Sequence, residues 1–266
     1  MMADTATDEL VRRVTAAESR LTVLDSRDQP ELITESFLRL PQLRGYWPLA
    51  SHRASGGAND ESGTGLNLTY NGNPLYTTSN WLTYLALDGV GDSLSRADET
   101  AIDIRGNEAY VAVANRGLTI GGWFWSSAYT ATCGFIGKWG AAAARSYGLA
   151  QGTVVNQQAT FDVSVDGTAI AQVASTAGTL TLDTWWFLVG RFTPSTELKL
   201  WMNEDTYTNV AAIPASIYNS ATTFYIGNRN GSLLTGRAAL CFLCAGILSD
   251  NVIEDLFERT RWLFGV

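Results

Sequence analysis

The sequence predicts a mainly β protein, an antiparallel sandwich of two sheets with a helix ahead of it and a helix behind it. Three observations carry this. Short runs rich in apolar and aromatic residues, set in a strand-and-turn rhythm, recur along the chain, among them YLALD, LTIGGWFW, LDTWWFLVGRF, ELKLWMN and TTFYIGN, and a period of two, as in YLALD and ELKLWMN, marks strands that turn one face to a core. Between the runs stand residues that favour tight turns, such as Asp88-Gly89, Asp166-Gly167 and Asn228-Arg229-Asn230. The 9 Trp, 10 Tyr and 10 Phe fall largely inside the runs, where flat side chains fill the gap between two sheets.

Taken in order, residues 5 to 25 read as a helix with Leu10, Val14, Ala17, Leu21 and Leu24 spaced four, three, four, three. That is a two-heptad seam. With Val14 and Leu21 at a, and Leu10, Ala17 and Leu24 at d, Arg13 and Arg20 take g positions facing Glu18 and Asp25 at the following e positions, as a parallel coiled coil prefers. Residues 1–28 are therefore read as a helical oligomerisation or anchoring segment, with a trimer favoured. The same spacing fits a short amphipathic helix lying on its own sandwich, since a helix this short is marginal alone. Residues 29–43 form a connector, with a short helix expected between Glu31 and Leu40 ahead of Pro41.

The sandwich domain spans 44–266. Its polar stretch SHRASGGANDESGTG, residues 51–65, predicts an exposed loop, mobile unless bound. Leu85 and Leu87 before Asp88-Gly89-Val90-Gly91, and Leu94 after it, predict a β-hairpin. Residues 99–117 read as an insertion with a short helix or extra strand. Asp166-Gly167 is expected to turn a hairpin after the strand from Phe161, and Trp185 to sit in the core between the sheets. The apolar run 238–248 is about half the length of a membrane span and reads as a buried strand. SDNVIEDLFERTRWLF closes the chain as a helix, N-capped by Ser249 or Asp250, with Ile253, Leu256 and Phe257 as its apolar stripe.

Composition excludes several function classes. A net charge of -8 with no basic run argues against nucleic acid, whose affinity rests on neutralised phosphates. No membrane partner is expected. Three cysteines cannot form a disulfide framework; Cys133 stands alone, and Cys241 and Cys244, three apart in a strand, point to opposite faces. With one histidine in the chain, a zinc site is not expected. MMADTATDEL has neither the charged start nor the apolar core of an export signal.

The ordered set GYWPL (45–49), LDGVGDSLSRAD (87–98), LTIGGWFW (118–125), RSYGLA (145–150), LDTWWFLVGRF (182–192), LKLWMN (198–203), FYIGN (224–228) and GRAALCFLCAGILSDNVIEDLF resembles the laminin-G-like branch of the concanavalin A-like lectin and glucanase jelly rolls. The resemblance implies a two-sheet antiparallel jelly roll and a role in recognition. Glucanases of that superfamily carry two Glu residues flanking an Asp on one strand, and no segment here matches. Asp162 and Asp166 share a strand face but stand about 13 Å apart, against about 5 Å for a retaining carboxylate pair. His52, beside Ser51 and Ser55 in the polar loop, lacks the rigid setting a catalytic base needs. No enzyme activity and no cofactor are expected. Calcium is the one metal left open, through Asp60, Asp88, Asp92, Asp98, Asn203 and Asp205 in turns.

Sugar-binding jelly rolls stack a ring on the apolar side of a pyranose while Asn, Asp and Arg donate or accept hydrogen bonds. The candidates for such a rim are Trp139, Arg145 and Tyr147, with the turn Asn228, Arg229 and Asn230; Trp81 with Tyr84 is another pair. The sequence thus points to a non-catalytic bacteriophage virion surface protein that displays a lectin-like domain to a glycan or host-surface receptor and contacts other virion proteins. The alternative is a structural decoration or minor capsid protein whose jelly roll is a protein-contact scaffold, with a polysaccharide hydrolase third.

Overall fold

A computed structural model describes residues 32–50, 56–79, 82–129, 132–152 and 155–266. The seam of residues 10–24, the loop residues Ser51, His52 and Ser55, and Trp81 lie outside the described residues. The chain divides into two units, Met1–Phe37 and Leu38–Val266. A helical segment over 32–38, α1, falls where the connector predicts one, and its Ser36 hydroxyl donates to the Leu32 carbonyl at 2.9 Å.

In the second unit the alternating runs become strands. In chain order these are β1 (Leu43–Trp47), β2 (Thr69–Asn71), β3 (Leu75–Ser79), β4 (Leu82–Asp88), β5 (Ser93–Arg96) and β6 (Leu118–Ser126). β7 (Gly134–Trp139), β8 (Arg145–Gln151), β9 (Ala159–Ser164) and β10 (Ile170–Ala174) follow, then β11 (Trp185–Thr193), β12 (Glu197–Met202) and β13 (Asp205–Asn209). The last are β14 (Phe224–Ile226), the small hairpin β15 (Asn228–Arg229) and β16 (Ser232–Leu233), and β17 (Thr235–Cys244). One sheet runs β13-β12-β11-β6-β17-β4-β3, with β1 also on β17; the other runs β10-β9-β8-β7-β14-β5-β2. Every pairing in them is antiparallel. The expected β-sandwich is the observed one.

The stretch 82–98 is not a hairpin. β4 pairs with β3 and β17 in the first sheet, whereas β5 pairs with β2 and β14 in the second, so the turn between them carries the chain across the sandwich. Leu85, Leu87 and Leu94 enter the same core cluster. Inward-pointing apolar residues look alike whether two strands pair side by side or face each other across the core. Asp88 builds the crossing: one carboxylate oxygen accepts from the N–H groups of Val90, Gly91 and Asp92 at 2.8–3.1 Å. Gly89, at φ 75°, leaves no room for a side chain beside Thr235.

The polar run is also more ordered than its composition predicts over its described part. Ala58 bridges to Leu68 and is buried. The Asp60 carboxylate accepts from the backbone N–H of Tyr46, Ser62 and Leu66 and from the hydroxyls of Ser62 and Thr64. One acidic side chain here replaces the apolar anchors the composition lacks. Residues 99–117 hold two single-turn 3-10 segments, Thr100–Ile102 and Val113–Asn115.

The C-terminal helix α2 (Asp250–Phe264) begins after Ser249 and ends at Gly265 in the left-handed conformation, as sequence rules for helix ends predict. Ile253, Leu256 and Phe257 are buried. They cover the outer face of the first sheet, where Trp123 stacks on Phe264 at 4.0 Å between centroids and on Phe257 at 5.9 Å. The Trp123 indole N–H donates to the Thr260 hydroxyl at 2.9 Å. That cover explains why WWFLV in β11 and GGWFW in β6 show so little polar alternation: these strands are buried on both faces, one by the opposite sheet and one by α2. Trp185 is buried, but on this outer face against Phe264 rather than between the sheets. Cys133, Cys241 and Cys244 are free and buried, and burial pushes the Cys133 thiol up to about 12.

Candidate binding cleft

The outer face of the first sheet is not wholly covered. Where α2 ends, a cleft of about 300 Å³ opens between its last residues and the strands below, lined by Ser79, Leu82, Tyr84, Trp185, Arg237, Trp262 and the 263–265 helix end. Strand register assembles it. Trp125 pairs with Trp185 on one side and with Arg237 on the other, so β11, β6 and β17 place an indole, an indole and a guanidinium in one row across the sheet. Tyr84 comes from the neighbouring β4, and Ser79 and Leu82 are paired at the end of β3 and the start of β4.

The side chains brace one another. Tyr84 meets Trp185 edge to face, centroids 5.6 Å apart, and Trp185 meets Phe264 the same way at 4.9 Å. The Arg237 guanidinium carbon lies 4.0 Å from the Trp125 ring centroid and 4.9 Å from that of Tyr84. Opposite, Trp262 is 44% exposed on the last turn of α2, its indole N–H donating to the Arg259 carbonyl at 2.8 Å. The left-handed Gly265 stops the helix here, so its last turn forms a rim. No Asp, Glu, His or Cys is among the described lining residues. Such a site can stack a ring on Trp262 and donate hydrogen bonds from Arg237.

Of the rim residues expected from the sequence, Tyr84 lines this cleft, Trp139, Arg145 and Tyr147 lie on the second sheet, and Asn228, Arg229 and Asn230 lie on the β15–β16 hairpin and its turn; the structure brings Trp139, Arg145 and Arg229 together. Trp139, at the end of β7, is 6% exposed, with the Arg229 guanidinium carbon 4.1 Å and that of Arg145 5.9 Å from its ring centroid. Arg229 reaches on to Asp162 at 2.6 Å, where the carboxylate is 1% exposed and also accepts from Gln172 at 2.7 Å. Arg145 donates to the Thr168 carbonyl at 2.8 Å, while its Nε and one terminal nitrogen of Arg229 are buried without a hydrogen-bond partner in the protein. Tyr147 has no accessible surface and points into the core, where its hydroxyl donates to the Ile102 carbonyl at 2.7 Å. Asn228 caps the β15–β16 turn by accepting from the Gly231 N–H, with Asn230 at φ 50°.

Asp166 accepts from Thr168 and Ala169 N–H groups in the expected β9–β10 hairpin. Of the acidic and amide turn residues, Asp92 accepts from the Asn73 N–H, Asn203 from the Phe187 N–H and Asp98 from Lys138. Their oxygens hold the fold's own donors.

No protein-family model matches the sequence, and no curated protein matches it. Its backbone is similar to solved structures. The binding domain of Paraclostridial Mosquitocidal Protein 1 superposes with a TM-score of 0.62 at 12% identity, over 81% of this chain and 52% of that one. The binding domain of botulinum neurotoxin DC in complex with SialylT gives 0.60 at 11% identity, over 84% and 52%. Domain 4 of AbnA, an extracellular arabinanase from Geobacillus stearothermophilus, in complex with arabinotriose, gives 0.53 at 14% identity, over 81% and 98%. The chain spans about half the length of the two toxin binding domains. At these identities the likeness is one of fold.

Proposed function

We propose that this chain is a non-catalytic recognition module that binds a glycan in the cleft between α2 and the first sheet. The observation that carries the reading is the cleft's composition: an exposed indole, Trp262, and the Arg237 guanidinium beside the buried rings of Tyr84 and Trp185, with no described carboxylate or imidazole on which hydrolysis could run. The similar structures, a toxin binding domain and a domain in complex with arabinotriose, support it. No metal or other cofactor enters this reading.

The test is a glycan array followed by a tryptophan-fluorescence titration of the best ligand. Trp262 is exposed, so Trp262→Ala is expected to leave stability unchanged and to weaken binding several-fold, the worth of one ring contact at about 0.5–1.5 kcal/mol. Silence on the array at high protein concentration sinks the reading and favours the protein-contact scaffold.

The finer proposal is display on a bacteriophage particle as a homo-oligomer, with the seam of residues 10–24 as the assembly device and trimer as the state. It is supported by the heptad spacing and its g-to-e charge pairs. Light scattering on the full chain and on a chain beginning at Arg44 checks it: a multiple of 28.8 kDa for the first and a monomer for the second is the expected result, and two monomers refute it.

A further inference from the structure

We infer that the cleft selects sugars carrying a carboxylate, and that Arg237 is the residue that selects them; the inference rests on the recognition reading above. Around the same sheet face and helix, other cations have acids to hand. Arg191 pairs with Glu197 and Asp250, Lys199 with Asp250, Arg259 with Asp255, and Arg261 with Glu204 and Glu258. Arg237 differs: among the described residues it has no ion pair and no side-chain hydrogen bond, in a chain where 26 acidic residues outnumber 18 basic ones.

Its two contacts are with ring faces, which hold the guanidinium plane but accept none of its five N–H donors. A planar fork fixed in this way, with free N–H groups lining a cleft, matches the two oxygens of a carboxylate. An anionic ligand meets no acidic side chain among the described lining residues. A cationic ligand, the other usual guest of aromatic walls, is disfavoured by Arg237 itself. Trp262, 44% exposed, offers an open ring face on which a pyranose can stack, beside the buried rings of Trp185 and Tyr84. The volume, at the lower end of small-ligand sites, suits a sugar unit rather than a long chain.

The experiment probes the full chain on an array that pairs neutral glycans with their uronic-acid and sialic-acid counterparts and with the methyl esters of those acids. The best set is then titrated at low salt. The acid is expected to bind at least about tenfold more tightly than its neutral partner and its ester, as a charge-assisted bidentate contact allows, and the margin is expected to shrink as salt is added. The uronic and sialic arms separate the two sources of the carboxylate. Arg237→Gln should bring acid and ester to equal affinity, Arg237→Lys should keep part of the margin, and Trp262→Ala should weaken both ligands and leave their ratio intact.

Equal binding of acid and ester by the unmodified chain overturns the role of Arg237 while leaving glycan recognition standing. A preference that survives Arg237→Gln at an unchanged unfolding midpoint moves selection to another residue and overturns it too. Should that variant fail to fold, the acid-against-ester comparison on the unmodified chain still decides. Binding of no glycan removes both this inference and the reading beneath it.

Discussion

Asp162 is almost without solvent, and its charge is held by Arg229, Gln172 and a longer contact from Thr160 at 3.3 Å. Removing one member of such a pair leaves an uncompensated buried ion, whereas removing both does not. Arg229→Leu is therefore expected to cost about 3–5 kcal/mol in urea unfolding, and adding Asp162→Asn to restore much of the loss. A near-neutral Arg229→Leu would show instead that the Trp139 cluster is open to water and available to a ligand. The cluster also shows how far single residues were legible. Trp139, Arg145 and Arg229 are residue types that make binding sites, and they do meet; what their types do not reveal is that an acid on β9 closes the group. Nor did anything short of the fold collect Tyr84, Trp185, Arg237 and Trp262, which come from three strands and a helix end far apart in sequence. The signal available was Arg237 itself, a charge placed immediately ahead of the apolar run 238–248.

At the level of elements, α2 is tied to the sheet by more than its apolar stripe. Asp250 at its first position receives Arg191 and Lys199 at 2.6 Å each, where an acid also favours the helix N-terminus. Partial burial pushes its carboxyl pKa up, but the hydrogen bonds from Lys199 and Arg191 outweigh this and hold it below the ordinary 3.8. Asp88 lies low because the Gly91 and Val90 N–H groups hold its charged form. A carboxyl with a depressed folded pKa stabilises fully above its unfolded value and loses that contribution as pH falls through its folded one. Stability should thus hold down to about pH 4 and decline below it, with Asp250→Asn lowering the neutral plateau and flattening the acid limb of a urea-midpoint profile. An unchanged acid limb would show that the contact to Arg191 and Lys199 does not depend on the charge of Asp250. Strands were legible for the same reason that sheets were not. Alternation reports that a strand has an inward face, and both halves of 82–98 have one, but nothing in a period of two says which of two facing sheets a strand joins.

Across the whole molecule, β17 lies between β6 and β4 and also pairs with β1, and β14 lies between β7 and β5. Both are late in the chain and central in their sheets. During synthesis, then, each sheet exists first as two halves with unpaired edges facing an empty slot, and edges of that kind attract foreign strands. The sandwich should close only after residue 244 has left the ribosome, and its closure is governed by pairings of long sequence separation, which form slowly. Ribosome-bound chains arrested at residue 234 are expected to stay protease-sensitive and to recruit chaperones, while chains extended past α2 become resistant. Resistance already at 234 would mean that the halves find a stable arrangement without their central strand.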